Sequence, residues 1–282
     1  SENEISDPDI PPHLSGCGEN DHKCFDAYKN HFNTVIKSIH DRFNVFLEEC
    51  GESPYSAGEF FETSPYMNLL LYPKQMKFNR RNSLNPQIFQ YLEGCVREEK
   101  EYEVPVFKSC NSEPLLYVSF GSLGSGDTIL LKRLMEAVKK MSIRALFNVG
   151  DYENEYDSVP DNISIASWYP QPSLISQADI VIHHGGNNSF TECLYFGKPA
   201  LIMPYVWDGH DNAKRIDETG HGCHMHRSNW TEEELINCIN QMLNDKAMQS
   251  RLNETSHQMQ SQHGPTKAAK ILNEILSQFH HT

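Results

Sequence analysis

At 282 residues, with 24 Lys and Arg against 38 Asp and Glu and a formal net charge of −14, the chain is long enough to bury one large core or two modest ones. That acidic surplus repels a polyanion, and no basic stripe with interleaved aromatics offsets it, so binding to nucleic acid through phosphate neutralisation is disfavoured. A bilayer span needs about 20 mainly apolar residues, and the best apolar stretch, 200–207, is far shorter and carries Pro204.

The eight cysteines, Cys17, Cys24, Cys50, Cys95, Cys110, Cys193, Cys223 and Cys238, are scattered with no C-x-x-C pair. This argues against a disulfide framework or a structural zinc site and fits a reducing, cytoplasmic compartment. The chain opens SENEISDPDIPP, without an initiator Met or a leader pattern, so it is expected to begin partway through a longer protein.

Residues 1–110 read as irregular, with many Pro, Ser and Asn breaks. The exception is Phe32, Val35, Ile36, Ile39, Phe43 and Phe46, whose three- and four-residue steps predict an amphipathic helix in need of a partner surface. A short strand is expected over 67–72. One helix and one strand do not make a doubly wound domain, so 1–110 reads as the incomplete end of a domain, with a linker, ahead of a complete one over 111–282.

After Glu113 short apolar runs alternate with helical stretches, the pattern of a parallel sheet covered on both faces. Strands are expected over 115–120, 143–149, 163–167, 180–183, 200–203 and 223–226, and helices over 128–140, 189–196 and 211–219. Thr231 and Glu234 form a capping box with Trp230 placed to staple onto Leu235, starting a helix that runs to about 243. Gly264 and Pro265 start the last helix, whose apolar face is Ala268, Leu272, Ile275 and Phe279.

The stretch 168–215 carries the chemistry. An aromatic and a Gln follow one strand, and a His-Gly-Gly turn follows the next and opens a helix with Ser and Glu near its start. Trp168 can stack a base, a contact typically worth ~1–3 kcal/mol. Backbone N–H groups around 185–189 meet the positive end of a helix dipole beside close-approach glycines, which suits a diphosphate. Glu192 is placed to accept hydrogens from two ribose hydroxyls.

These residues resemble the signature of the UDP-glycosyltransferases, family 1 glycosyltransferases of the GT-B fold. The W-x-P-Q element stands as Trp168, Pro170 and Gln171, and H-x-G-x-x-S-x-x-E as His184, Gly186, Ser189 and Glu192. G-x-P is Gly197 and Pro199, and the D-Q element followed by N-A is Asp208, Asn212 and Ala213, with Gly209 in place of the Gln. VSFGSLGSGD over 118–127 resembles the first strand and phosphate-facing turn of the same domain.

The resemblance implies an α/β chain of GT-B type: a Rossmann-like parallel-sheet donor domain preceded by an incomplete second Rossmann-like domain, with the last helix crossing back to the first. It implies that Trp168 stacks uracil, Gln171 lies near base or ribose, and Glu192 holds the ribose hydroxyls. Ser122, His184, Gly186, Asn188 and Ser189 would surround the diphosphate, and Asp208 would contact sugar hydroxyls. Gly209 removes an amide donor and acceptor and leaves the sugar open, with His210 a possible substitute.

The implied activity is transfer of a hexose from a UDP-sugar, the donor substrate, to a hydroxyl of a small lipophilic acceptor. No cofactor, metal, nucleic acid or membrane anchor is implied. The inverting mechanism of the family uses an Asp-oriented His early in the first domain as general base. No segment matches that motif, so this chain is expected to bind donor without catalysing transfer. A non-catalytic nucleotide-sugar binder and a GT-B sugar-nucleotide epimerase are the alternatives.

Several motifs admit other readings. Ser189 and Glu192 alone would pass as a capping box, and Trp168 alone as core or rim. The glycines of GSLGSG, with Asp151 after the next strand, are out of phase with a dinucleotide fingerprint. His221, Cys223, His224 and His226 could ligate a metal, but only alternate strand residues share a face. Asn162, Asn187, Asn229 and Asn253 match N-x-S/T by chance, since a glycan at Asn187 would block the diphosphate turn.

Overall fold

The computed structural model describes residues 2–60, 63–108 and 112–279. Cys110, and the side chain of Phe279 on the last helix face, lie outside the described residues.

The first helix, α1, spans His22–Glu49 and starts ten residues before the predicted apolar stripe, because the Asp21 carboxylate accepts from Cys24 N at 3.1 Å and caps its first turn. Its stripe is only partly covered. Segment 55–60 returns to place Tyr55 and Phe60 against Phe43, with ring centroids 6.0 and 5.5 Å apart, while Val35, Ile39 and Phe46 stay more than half exposed. Strand β1, Asn68–Leu70, pairs in parallel with β2, Phe89–Tyr91. β2 has no counterpart in the sequence reading, since three residues, FQY, are too few to show a period.

Six strands build the main sheet, all parallel: β3 (Leu115–Ser119), β4 (Arg144–Asn148), β5 (Ile163–Ala166), β6 (Ile180–His183), β7 (Ala200–Ile202) and β8 (Gly222–His224). β3 to β7 fall within predicted runs, and β8 starts one residue before its own, 223–226. Every residue of β3, β6 and β7 is buried, as a central parallel strand covered on both faces requires. The spatial order is β5-β4-β3-β6-β7-β8, so the connections reverse direction between β3 and β6, the switch point of a doubly wound sheet.

The covering helices are α2 (Gly121–Gly124), α3 (Thr128–Val138), α4 (Gln171–Gln177), α5 (Asn187–Tyr195), α6 (Asp208–Glu218), α7 (Glu232–Asn244), α8 (Lys246–Gln260) and α9 (Gly264–Phe279). The capping box of α7 forms in full: Glu234 N donates to Thr231 Oγ1 at 3.2 Å, and Thr231 N to Glu234 Oε2 at 2.7 Å. Trp230 and Leu235 are both buried in the core. Three helices are additions to the sequence reading. α2 is one turn, α4 begins after Pro170 with Pro172 in its first turn, and α8 is mostly polar, with Met248, Leu252 and Met259 as its buried face.

The chain's two ends fold back onto this body. At α9, Lys267 Nζ donates to Tyr91 O at 2.7 Å, so the last helix crosses back to the β1–β2 unit. At the other end, the buried Asp211 carboxylate of α6 accepts from Leu14 N (2.7 Å), Gly16 N (2.8 Å) and Asn3 Nδ2 (2.9 Å). Arg215 pairs with Glu19 at 2.9 Å. This hook is closed by a disulfide between Cys17 and Cys24, which corrects the expectation of free thiols throughout. Seven residues of separation across the turn into α1 bring the two cysteines together, and the argument for a reducing compartment loses its premise.

Candidate functional site

A cleft of about 480 Å³ opens at the C-terminal ends of β3 and β6, the switch point where doubly wound sheets bind ligands. Its walls come from the Phe120–Gly124 turn, Gln171, the His184–Ser189 turn and the Tyr205–Asp208 segment. Of the predicted residues, Ser122, Gln171, His184, Gly186, Asn188, Ser189 and Asp208 therefore meet in one place. Glu192 and Asn188 line an adjoining hollow of about 210 Å³ with Arg97 and Thr191. Trp168 stands apart. It lies past the end of β5, exposed over two thirds of its surface and in neither cavity, as an open flat face rather than core.

Glycines let the turns approach one another. A Cβ on Gly186 would sit 2.4 Å from His184 Nε2, and one on Gly121 (φ +66°) 3.1 Å from His184 Cε1. A Cβ on Gly209 would lie 2.6 Å from His184 O, backbone against backbone. The departure at Gly209 thus has a physical cause: α6 presses its first turn onto the β6–α5 turn, and no side chain fits between. His210 does not fill the gap, since its Nε2 is engaged with Tyr205 O at 3.2 Å.

Most polar groups around the α5 N-terminus are committed, and the exceptions define the site. Gly185 N donates to His183 Nδ1 at 3.0 Å, Asn187 N to Asp208 Oδ2 at 2.8 Å, and Asn212 Nδ2 holds Gly185 O at 2.8 Å. The N–H groups of Gly186, Asn188 and Ser189 meet no acceptor among the described residues. They stand at the positive end of α5, where an anion is favoured. One Asp208 oxygen ties α6 to this turn, and the other meets no donor among the described residues.

Gly186, not Ser189, is the N-cap of α5, so Ser189 and Glu192 do not form a capping box. The buried Glu192 instead accepts from Gln171 Nε2 at 2.6 Å, and the same nitrogen contacts Ser189 Oγ at 3.0 Å. Gln171 is therefore an orienter of Glu192. Burial pushes the Glu192 carboxyl up, offset by the Gln171 bond and by Arg97. Arg97 is itself held by Glu99 at 2.6 Å, a pair the sequence reading did not single out. Burial pushes His184 down against the pull of Asp208, which keeps its imidazole neutral at pH 7. His183, fully buried, falls to about 3.

The other candidate motifs resolve into structural contacts. His221 bonds Thr255 at 2.9 Å, His224 pairs with Asp217 at 3.2 Å, and His226 Nδ1 accepts from Ser228 and Asn229 N–H groups. Asp151 is exposed in a kinked 3₁₀ segment, Gly150–Glu155, after β4. Tyr205 and Trp207 are cleft residues the sequence reading missed. Tyr205 donates to Asp127 Oδ2 at 3.0 Å and lies under Arg227.

A doubly wound parallel sheet with a glycine-lined turn and a buried carboxylate at its switch point has the form of the Rossmann-like domain of a GT-B fold. Residues 132–275 match the family model described as erythromycin biosynthesis protein CIII-like, C-terminal domain. The chain belongs to this family of glycosyltransferases. It is similar to the NDP-glycosyltransferase YjiC of Bacillus subtilis (24% identical over 237 residues, 83% of this chain and 59% of the relative). The NDP-glycosyltransferase YjiC of Bacillus licheniformis is 27% identical over 264 residues, 89% of this chain and 65% of that one. The crystal structure of the glycosyltransferase of kitacinnamycin superposes with a TM-score of 0.74 at 20% identity, over 90% of this chain and 67% of that one. The chain thus spans about three fifths of the length of these two curated relatives.

Proposed function

We propose that this chain is the donor-binding part of a UDP-glycosyltransferase that moves a hexose from its nucleotide to a hydroxyl of a small lipophilic acceptor. The observation that carries the reading is the set of three uncommitted N–H groups at Gly186, Asn188 and Ser189, facing the cleft beside Glu192. In this reading the N–H groups and the Ser122 and Ser189 hydroxyls hold the diphosphate. Glu192, oriented by Gln171, accepts from the ribose, and Trp168 offers its face to the base.

As the anomeric carbon is attacked, negative charge grows on the leaving diphosphate. Preorganised N–H donors at the α5 N-terminus stabilise that charge without reorganisation. His184, neutral at pH 7, can donate one hydrogen bond there but adds no positive charge. The exposed Leu123 and Val206, which line the cleft, favour an apolar acceptor. We assign the general base to a segment outside residues 1–282, so that this chain binds donor without transferring it.

Calorimetric titration with UDP, with NAD as comparison, tests the reading. It expects UDP to bind and NAD not to; a folded chain that ignores UDP contradicts it. Release of UDP from a UDP-sugar by this chain in the presence of hydroxylated acceptors would overturn the claim that the base lies elsewhere.

A further inference from the structure

We infer that Trp207 is the surface on which the pyranose ring of the donor lies, a specificity-determining aromatic platform beside Asp208; this rests on the donor-binding reading above. Trp207 holds φ 55° and ψ −138°, a backbone conformation that suits glycine and is strained for a bulky residue. A packing role does not account for this. The indole is 62% exposed, and its N–H has no hydrogen-bond partner among the described residues. Trp230 shows the contrast: 7% exposed, bonded from Nε1 to Arg227 O at 2.9 Å and covered by Arg133 at 4.1 Å.

Trp207 lines the main cleft together with Asp208 and with Gly186, Asn187, Asn188 and Ser189 of the diphosphate turn. Gly209, which follows, offers the ligand no side chain. The first turn of α6 therefore presents two things: one free carboxylate oxygen and one aromatic plane. A pyranose has the matching pair, a rim of hydroxyls that donate to a carboxylate and a face of axial C–H groups that stacks on an aromatic ring. In a bare nucleoside diphosphate the ribose hydroxyls and the base are taken up by Glu192 and Trp168, so only the sugar of the donor is left to meet this pair. The donor class this fits is a hexopyranose with an unobstructed C–H face.

The test compares Trp207→Gly and Trp207→Phe with the wild-type chain by calorimetry, using UDP and UDP-glucose, or dTDP and dTDP-glucose if that pair binds more tightly. Glycine accepts the backbone without strain, so Trp207→Gly should unfold at the same or a higher temperature. Its affinity for the bare diphosphate should stay within about twofold, while its affinity for the sugar nucleotide falls by about three- to tenfold and Trp207→Phe lies between. Equal changes for the two ligands, or no change for either, would overturn the platform while leaving donor binding intact. A wild-type chain that binds neither diphosphate would overturn both readings together.

Discussion

Gly209→Ala tests how tightly the site is assembled. The added Cβ would lie 2.6 Å from His184 O, some 0.8 Å inside ordinary contact, and a Cβ built on Gly185 already comes within 2.9 Å of Gly209 Cα from the facing turn. Neither side can yield by rotating a side chain, because both are backbone. Relief requires α6 and the β6–α5 turn to move apart, an overpacking cost of ~1–3 kcal/mol. For a chain of this size that is a fall in melting temperature of about 2–12 °C. The same movement pulls Asp208 from Asn187 N, so affinity for UDP should drop by about tenfold or more, the loss of one hydrogen bond to a charged group. Gly18→Ala is the control: its Cβ would come within 2.8 Å of Glu218 Oε1 and 3.0 Å of Lys214 Cε, both flexible ends, and should cost under about 0.5 kcal/mol. Calorimetric melting and UDP titration of both variants decide the matter. Equal stabilities and equal affinities would refute the close-approach argument.

Three further outcomes follow from the same geometry. Glu192→Gln should leave melting unchanged or slightly raised, because the buried charge is removed, while UDP affinity falls by about 10- to 100-fold; a variant that binds UDP normally removes Glu192 from the ribose. Because its folded pKa lies above 4.5, this carboxyl opposes folding at neutral pH, and that opposition fades as pH falls through the folded value and is gone below the unfolded one. UDP-glucose affinity should move the other way, weakening from a pH above 4.5 downward; a flat profile from pH 7 to 4.5 would contradict the assignment. The Cys17–Cys24 bond closes an eight-residue loop, so its reduction should destabilise the N-terminal hook by ~2.5 kcal/mol, seen as a lower melting temperature with dithiothreitol that a Cys17→Ser, Cys24→Ser variant no longer shows. An unchanged melt would mean the hook is held by Asp211 and Arg215 alone.

Elements that depend on local pattern were legible in the sequence. The buried runs of β3, β6 and β7 show as continuous apolar stretches because both faces are covered, and Thr231 with Glu234 announces α7 through bonds three residues apart. The site was legible as a spacing, since His184, Gly186, Ser189 and Glu192 fall on consecutive turns of one strand-turn-helix unit. What the sequence hid depends on distant partners. The hook works only because Leu14 and Gly16 reach Asp211 across the chain. The role of Gln171 emerges when α4 and α5 pack, and the cause of Gly209 is a backbone approach between segments 25 residues apart. Trp207 could not stand out, because one tryptophan before an Asp carries no sign of a positive φ.

The central claim is that three N–H groups at the start of α5 hold a nucleotide diphosphate. Amide hydrogen exchange followed by NMR, with and without saturating UDP, reads those groups directly. The account predicts that Gly186, Asn188 and Ser189 exchange freely in the unliganded chain and become the most strongly protected amides of the 184–189 turn when UDP is added. UDP binding that leaves these three amides unchanged would contradict it.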